Sequence, residues 1–259
     1  MQHTILLLSL LAFLVVPALS QDIKKSDRTC RMVFPEKPDK APSFVYLYDG
    51  KNNHKVYLSA VNFSDVIELE SGDITLVMAP NPIDDPKAIP ADYPRISVSE
   101  RIRNFYLFLS IDQNNKKFPF RVQMINLDDG TFRPGNTLWC NFTQHRIAAK
   151  LGDSKMSLPP GKTTISGEPL SEDGYYIAQF LYQPNAAGEY RKITEQSWWF
   201  DADCRYVGFI ADRGGALPKI YFFRDFRLPK EVIEAARRAE ADGEDGLGAN
   251  EPAPAAPGP

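Results

Sequence analysis

From Phe44 to Phe226 the apolar residues recur near every second position in short runs, and most runs are closed by Gly, Pro, Asn or Asp. A period of two punctuated by turn residues specifies strands that send alternate side chains into a core. Such runs are Phe44–Tyr48, closed by Asp49-Gly50, then Val56–Val61 and Ile74–Met78. Pro80, Pro82, Pro86, Pro90 and Pro94 then forbid both helix interior and sheet ladder, which makes their segment a surface crossover. Arg95–Val98, Phe105–Ile111 and Phe120–Leu127 follow. Further strands are expected at Thr137–Phe142, Arg146–Leu151, Lys155–Leu158, Lys162–Ser166, Tyr175–Tyr182, Arg191–Phe200, Tyr206–Ala211 and Ile220–Phe226. The pattern predicts an all-β fold, an antiparallel β-sandwich of immunoglobulin-like or related type.

The two ends read differently. Residues 5–19 form an uncharged apolar run, long enough for a signal-peptide core and short for a membrane span, and Ala18 and Ser20 suit cleavage before Gln21. The first four residues carry no Lys or Arg, a departure from the usual signal, and an uncleaved anchor is the alternative. No second apolar stretch approaches spanning length, so the expectation is an exported protein, periplasmic or extracellular, with no membrane span after cleavage. Residues 21–42 read as an extended polar leader interrupted by Pro35, Pro38 and Pro42. The β-body is placed at 43–227, divisible into lobes 43–112 and 118–227, and a helix at 228–240, where Pro229 suits the first turn and Val232, Ile233 and Ala236 share a face. The Ala/Pro-rich tail 241–259 carries acids and no base and is expected to be disordered. Lys+Arg total 30 against Asp+Glu 33, with no basic stripe, which argues against a nucleic-acid partner.

An internal echo joins Asn62-Phe63-Ser64, followed by Gly72-Asp73, to Asn141-Phe142-Thr143, followed by Gly152-Asp153. Two related lobes would explain it; chance similarity between strands and turns explains it with less, because one echo is weak repeat evidence. Both triplets also match the glycosylation sequon.

No constellation points firmly to catalysis, and neither a catalytic residue nor a cofactor is assigned. The sharpest chemical alternative is a copper site or enzymatic sandwich around Cys140 and His145, with His54 upstream and Met156 downstream, because blue-copper centres use a thiolate, two imidazoles and a weak thioether. Met156 lies too far past His145 for the usual single ligand loop. Cys30, Cys140 and Cys204 are an odd set; Cys140 and Cys204 are open to two readings, a disulfide or two buried thiols. The paired acids Asp84-Asp85, Asp128-Asp129 and Asp201-x-Asp203 read as turn residues. In Trp198-Trp199-Phe200, neighbouring rings of a strand face opposite ways, so Trp198 and Trp199 are the candidate ligand-binding pair, one of them available as a stacking platform.

Phe-Arg-Pro-Gly-Asn-Thr-Leu-Trp (132–139), Asn-Phe-Thr-Gln-His-Arg-Ile-Ala-Ala-Lys-Leu-Gly (141–152), Leu-Pro-Pro-Gly (158–161) and Tyr-Phe-Phe-Arg-Asp (221–225) together resemble a group of exported bacterial β-sandwich proteins of unassigned function. The resemblance, carried mainly by residues 132–226, implies bacterial export and a common fold, and supplies no site residues. The resulting expectation is a non-catalytic interaction or structural module whose partner is a protein or glycan of the cell envelope. A carbohydrate-binding module using an exposed tryptophan is the alternative.

Overall fold

The computed structural model describes residues 28–128, 130–185, 188–212 and 217–226. The signal segment, the C-terminal helix and the acidic tail expected from the sequence lie outside the described residues. These residues form sixteen strands and one 3₁₀ turn (Pro86–Ala88). The first eight strands are β1 (Thr29–Val33), β2 (Phe44–Tyr48), β3 (Asn53–Tyr57), β4 (Ile67–Glu68), β5 (Ile74–Ala79), β6 (Arg95–Val98), β7 (Asn104–Ile111) and β8 (Phe120–Asn126). The second eight are β9 (Thr137–Asn141), β10 (Arg146–Leu151), β11 (Ser154–Leu158), β12 (Thr163–Ser166), β13 (Gly174–Gln183), β14 (Arg191–Phe200), β15 (Arg205–Ala211) and β16 (Lys219–Asp225). Among the described residues no helix is long and apolar enough to cross a membrane.

The strands make four sheets: sheet I in the order β3-β2-β5-β6, sheet II β4-β1-β7-β8, sheet III β12-β9-β15-β16 and sheet IV β11-β10-β13-β14. Adding eight to every strand number of sheets I and II gives sheets IV and III. The correspondence extends to direction, since β1 and β7 pair parallel, as do β9 and β15, while the remaining pairs are antiparallel. The described residues are therefore an all-β tandem of two sandwich-like halves with one topology. In the immunoglobulin arrangement the first two strands share a sheet; here β1 and β2 lie in different sheets.

Strand alternation builds three apolar layers. Phe105, Leu107 and Leu109 of β7 point into the first sandwich with Cys30, Met32, Val45 and Leu76. Tyr106 and Phe108, on the other face of β7, meet Leu138, Cys140, Val207 and Phe209 of sheet III. Trp139, Phe180, Tyr206 and Ile210 fill the second sandwich. Sheets II and III thus carry apolar side chains on both faces, which is why β7 and β15 read as nearly unbroken apolar runs.

Two expected boundaries are corrected. Folded structure begins before Ser43, because β1 lies in the supposed leader, and Cys30, Met32 and Phe34 are buried there. Division into lobes falls between β8 and β9, because β8 completes sheet II alongside β7. The echo at Asn62 and Asn141 does not mark the repeat, since Asn62 lies between β3 and β4 and Asn141 ends β9. Repetition resides in the topology. Inward-facing parallel partners include Met32 and Leu107 in the first sandwich, and Trp139 beside Gly208 in the second. A Cβ at Gly208 would stand 2.1 Å from Trp139 Cζ3, so the indole uses the space a side chain would need.

Candidate functional site: the outer face of sheet IV

In β10, β11, β13 and β14 one set of alternating side chains, including Ile147, Ala149, Leu158, Tyr176, Ala178 and Phe180, enters the second core. The opposite set faces away from it. Trp198 belongs to the inner set: its ring stacks on Phe222 at 4.4 Å and lies 5.6 Å from Phe180. Trp199 belongs to the outer set and meets its cross-strand partner Tyr175 edge-on at 4.9 Å and 75°. Tyr175, Ile177 and Trp199 are 71%, 53% and 43% exposed, a group of large apolar side chains turned to solvent. Of the two expected ring candidates, only Trp199 is presented outward.

Cross-strand register arranges this face in rows. Trp199 pairs with Tyr175, and Ser197 with Ile177. Glu195 then pairs with Gln179, Gln179 with Lys150, and Lys150 with Lys155, which places four polar side chains in one line across the sheet. Lys192 bonds Glu195 at 2.6 Å and Gln179 donates to it at 3.0 Å. The Lys192 contact holds the Glu195 carboxyl below the usual range. Arg146, Lys150 and Lys155 are exposed. The lysines belong to no sequence motif; only cross-strand register reveals that Lys150 and Lys155 face one another.

Sheet I, the topological counterpart, is covered differently. Tyr48, Val77 and Ala79 on its outer side are buried. The proline-rich segment 80–94 is pinned there by reciprocal hydrogen bonds between the Asn53 side chain and the Ile83 backbone, and by Arg95 donating to the Ile89 and Pro90 carbonyls. Between β13 and β14 the connection is only 184–190.

The copper set is not assembled. Cys140 lies between sheets II and III, His54 in sheet I, and His145 ahead of β10, its ring edge-on to Tyr182 at 5.4 Å; Met156 packs against the second core. Among the described residues no three His, Cys, Asp or Glu side chains converge as a cation site. Nor is the Cys140–Cys204 bridge present, because Cys140 faces the layer between the lobes while Cys204 packs into the second sandwich; all three cysteines are free thiols. Burial pushes the Cys30 and Cys140 thiols well above their ordinary range, and burial together with Asp201 brings Cys204 to about 11.

Two grooves, of about 270 and 480 Å³, flank the first lobe. The smaller is lined by His54, Tyr57, Ser64, Asp65 and Glu68. His54 Nε2 lies 2.7 Å from Asp49 Oδ2, an acid–imidazole pair, but the Ser64 hydroxyl donates to the Asp65 carbonyl and accepts from the Met32 amide. Asp49 also accepts from the Lys51 and Asn52 amides, so this pair closes a turn. Asp85 and Asp201 likewise close turns, accepting from the Lys87 and Asp203 amides, whereas Asp128 accepts from the Arg103 and Asn104 amides and joins the end of β8 to the start of β7. Asn141, in one sequon, is buried and donates to the carbonyls of His145, Leu158 and Pro159, whereas Asn62 is exposed.

The chain matches no protein-family model and no curated protein.

Proposed function

We propose that the protein is an exported bacterial binding module without catalytic activity, which engages a macromolecule of the cell envelope through the outer face of sheet IV. The observation that carries this reading is the exposed trio Tyr175, Ile177 and Trp199 on a sheet whose other aromatic rings serve the core. Contiguous apolar exposure beside polar side chains is the usual mark of a contact surface. Export is supported by the apolar run at 5–19 and the small residues before Gln21.

The test is capture from native envelope extract by the full chain and by a Tyr175→Ala/Trp199→Ala variant. Both side chains lie on the outside, so the variant should keep the far-UV circular dichroism of the parent. Loss of the captured species supports the reading; equal capture by both overturns it. Sequencing the mature N-terminus tests export, with Gln21 expected as the first residue.

A further inference from the structure

Resting on that reading, we infer that the ligand of sheet IV is an anionic polysaccharide, its sugar rings lying on Trp199 and Tyr175 and its acidic groups reaching Lys150 and Lys155. Like charges placed directly opposite on one sheet face destabilise it. Lys150 and Lys155 are such a pair, both exposed, and neither forms an ion pair among the described residues. Arg146 extends the cationic side along β10. Glu195, the acid in the same row, is already neutralised by Lys192. Among the described residues Arg146, Lys150 and Lys155 therefore form a positive strip with no ion-pair partner, which a polyanion would relieve.

Scale favours a chain-like ligand. From Tyr175 to Gln179 is four residues along β13, roughly 13 Å, and four strands span roughly 14 Å, so the rings and the lysines lie within roughly 20 Å of one another. A linear polymer needs only a track, and the rows supply one from the rings, past Ile177 and Ser197, to the lysines. Exposed aromatic rings provide the apolar stacking surface while the lysines provide long-range attraction.

The probes are sodium polygalacturonate and its fully methyl-esterified form, which share a backbone and differ in charge, titrated calorimetrically into the full chain. The expected result is binding of the polygalacturonate about tenfold tighter than of the ester, weakening as salt rises from about 50 to about 300 mM. Lys150→Glu/Lys155→Glu should lower affinity for the charged polymer at least about tenfold, with the circular dichroism unchanged and the weak ester binding retained. Trp199→Ala should weaken both. Equal affinity for the two polymers, or no effect of the lysine changes, overturns the inference. If neither polymer binds while envelope capture still depends on Tyr175 and Trp199, the polyanion assignment fails and the binding face stands. Trp199-dependent self-association without polymer would give the face to a second copy, and also overturns it.

Discussion

Arg31, in the first strand, forms an ion pair with Asp225, at the end of the sixteenth. The Asp225 side chain is fully buried, and it also accepts from Arg205 and, at 2.5 Å, from the Tyr106 hydroxyl. Arg31 and Tyr106 belong to sheet II, Arg205 and Asp225 to sheet III, so one carboxylate ties the two lobes across their shared apolar layer. Phe63 and Phe132 lie beneath the two guanidinium groups at 5.1 and 4.6 Å.

Removing that carboxylate leaves two cations with no anion between them. Asp225→Ala should cost about 3 to 5 kcal/mol, the usual penalty for breaking a buried pair from one side. Urea unfolding at neutral pH measures it; a loss below about 1 kcal/mol would mean that the lobes are held by apolar contact alone.

Gly208→Ala should destabilise the second sandwich by about 1 to 3 kcal/mol, because the new methyl enters the volume of the Trp139 ring. In a Trp139→Leu background the same change should cost much less. A double-mutant cycle on thermal or urea unfolding reads that coupling, and strict additivity would disprove the size compensation.

Burial opposes ionisation of Asp49, yet the hydrogen bonds from His54 and from the Asn52 and Lys51 amides prevail and bring its carboxyl down to about 2. A folded-state value below the ordinary 3.8 means that this acid contributes stability above pH 4. That contribution, about 2 to 3 kcal/mol, should fade as pH falls from about 4 through about 2. Asp49→Asn should be less stable at pH 7 and lose less on acidification. Parallel pH dependence of the two proteins would rule out Asp49 as a source of the acid loss.

Thiol reagents should find Cys30, Cys140 and Cys204 shielded in the native protein at pH 8 and all three reactive in denaturant without reductant. Recovery of only one reactive thiol after denaturation would show that a disulfide forms.

Legibility followed the solvent. Strands with one wet face, such as Tyr175–Tyr182 and Arg191–Phe200, announce themselves by alternation, and the structure places β13 and β14 there. β1 is hidden because Thr29 and Arg31 within it, and Arg28 just before it, give it a polar spelling. Arg28 and Arg31 are nonetheless largely buried, Arg28 donating to the carbonyls of Ile102, Glu70, Gly72 and Ser99. β4, with two residues, is too short to show a period. The tandem could not be read from the Asn62 and Asn141 triplets, because they fall at different places in the two lobes, and backbone pairing constrains side-chain identity only weakly. For the binding face, alternation separated Trp198 from Trp199, but the lysine pair depends on the register of β10 against β11, which no single run contains.

Sheets II and III, each oily on both flanks, make neither half of the molecule self-sufficient. Severed between Leu127 and Asn136, the chain would give two fragments whose bare flanks fit one another better than water, so each half would be the other's chaperone. Among the described residues, then, the two lobes own one core each and hold the third in common.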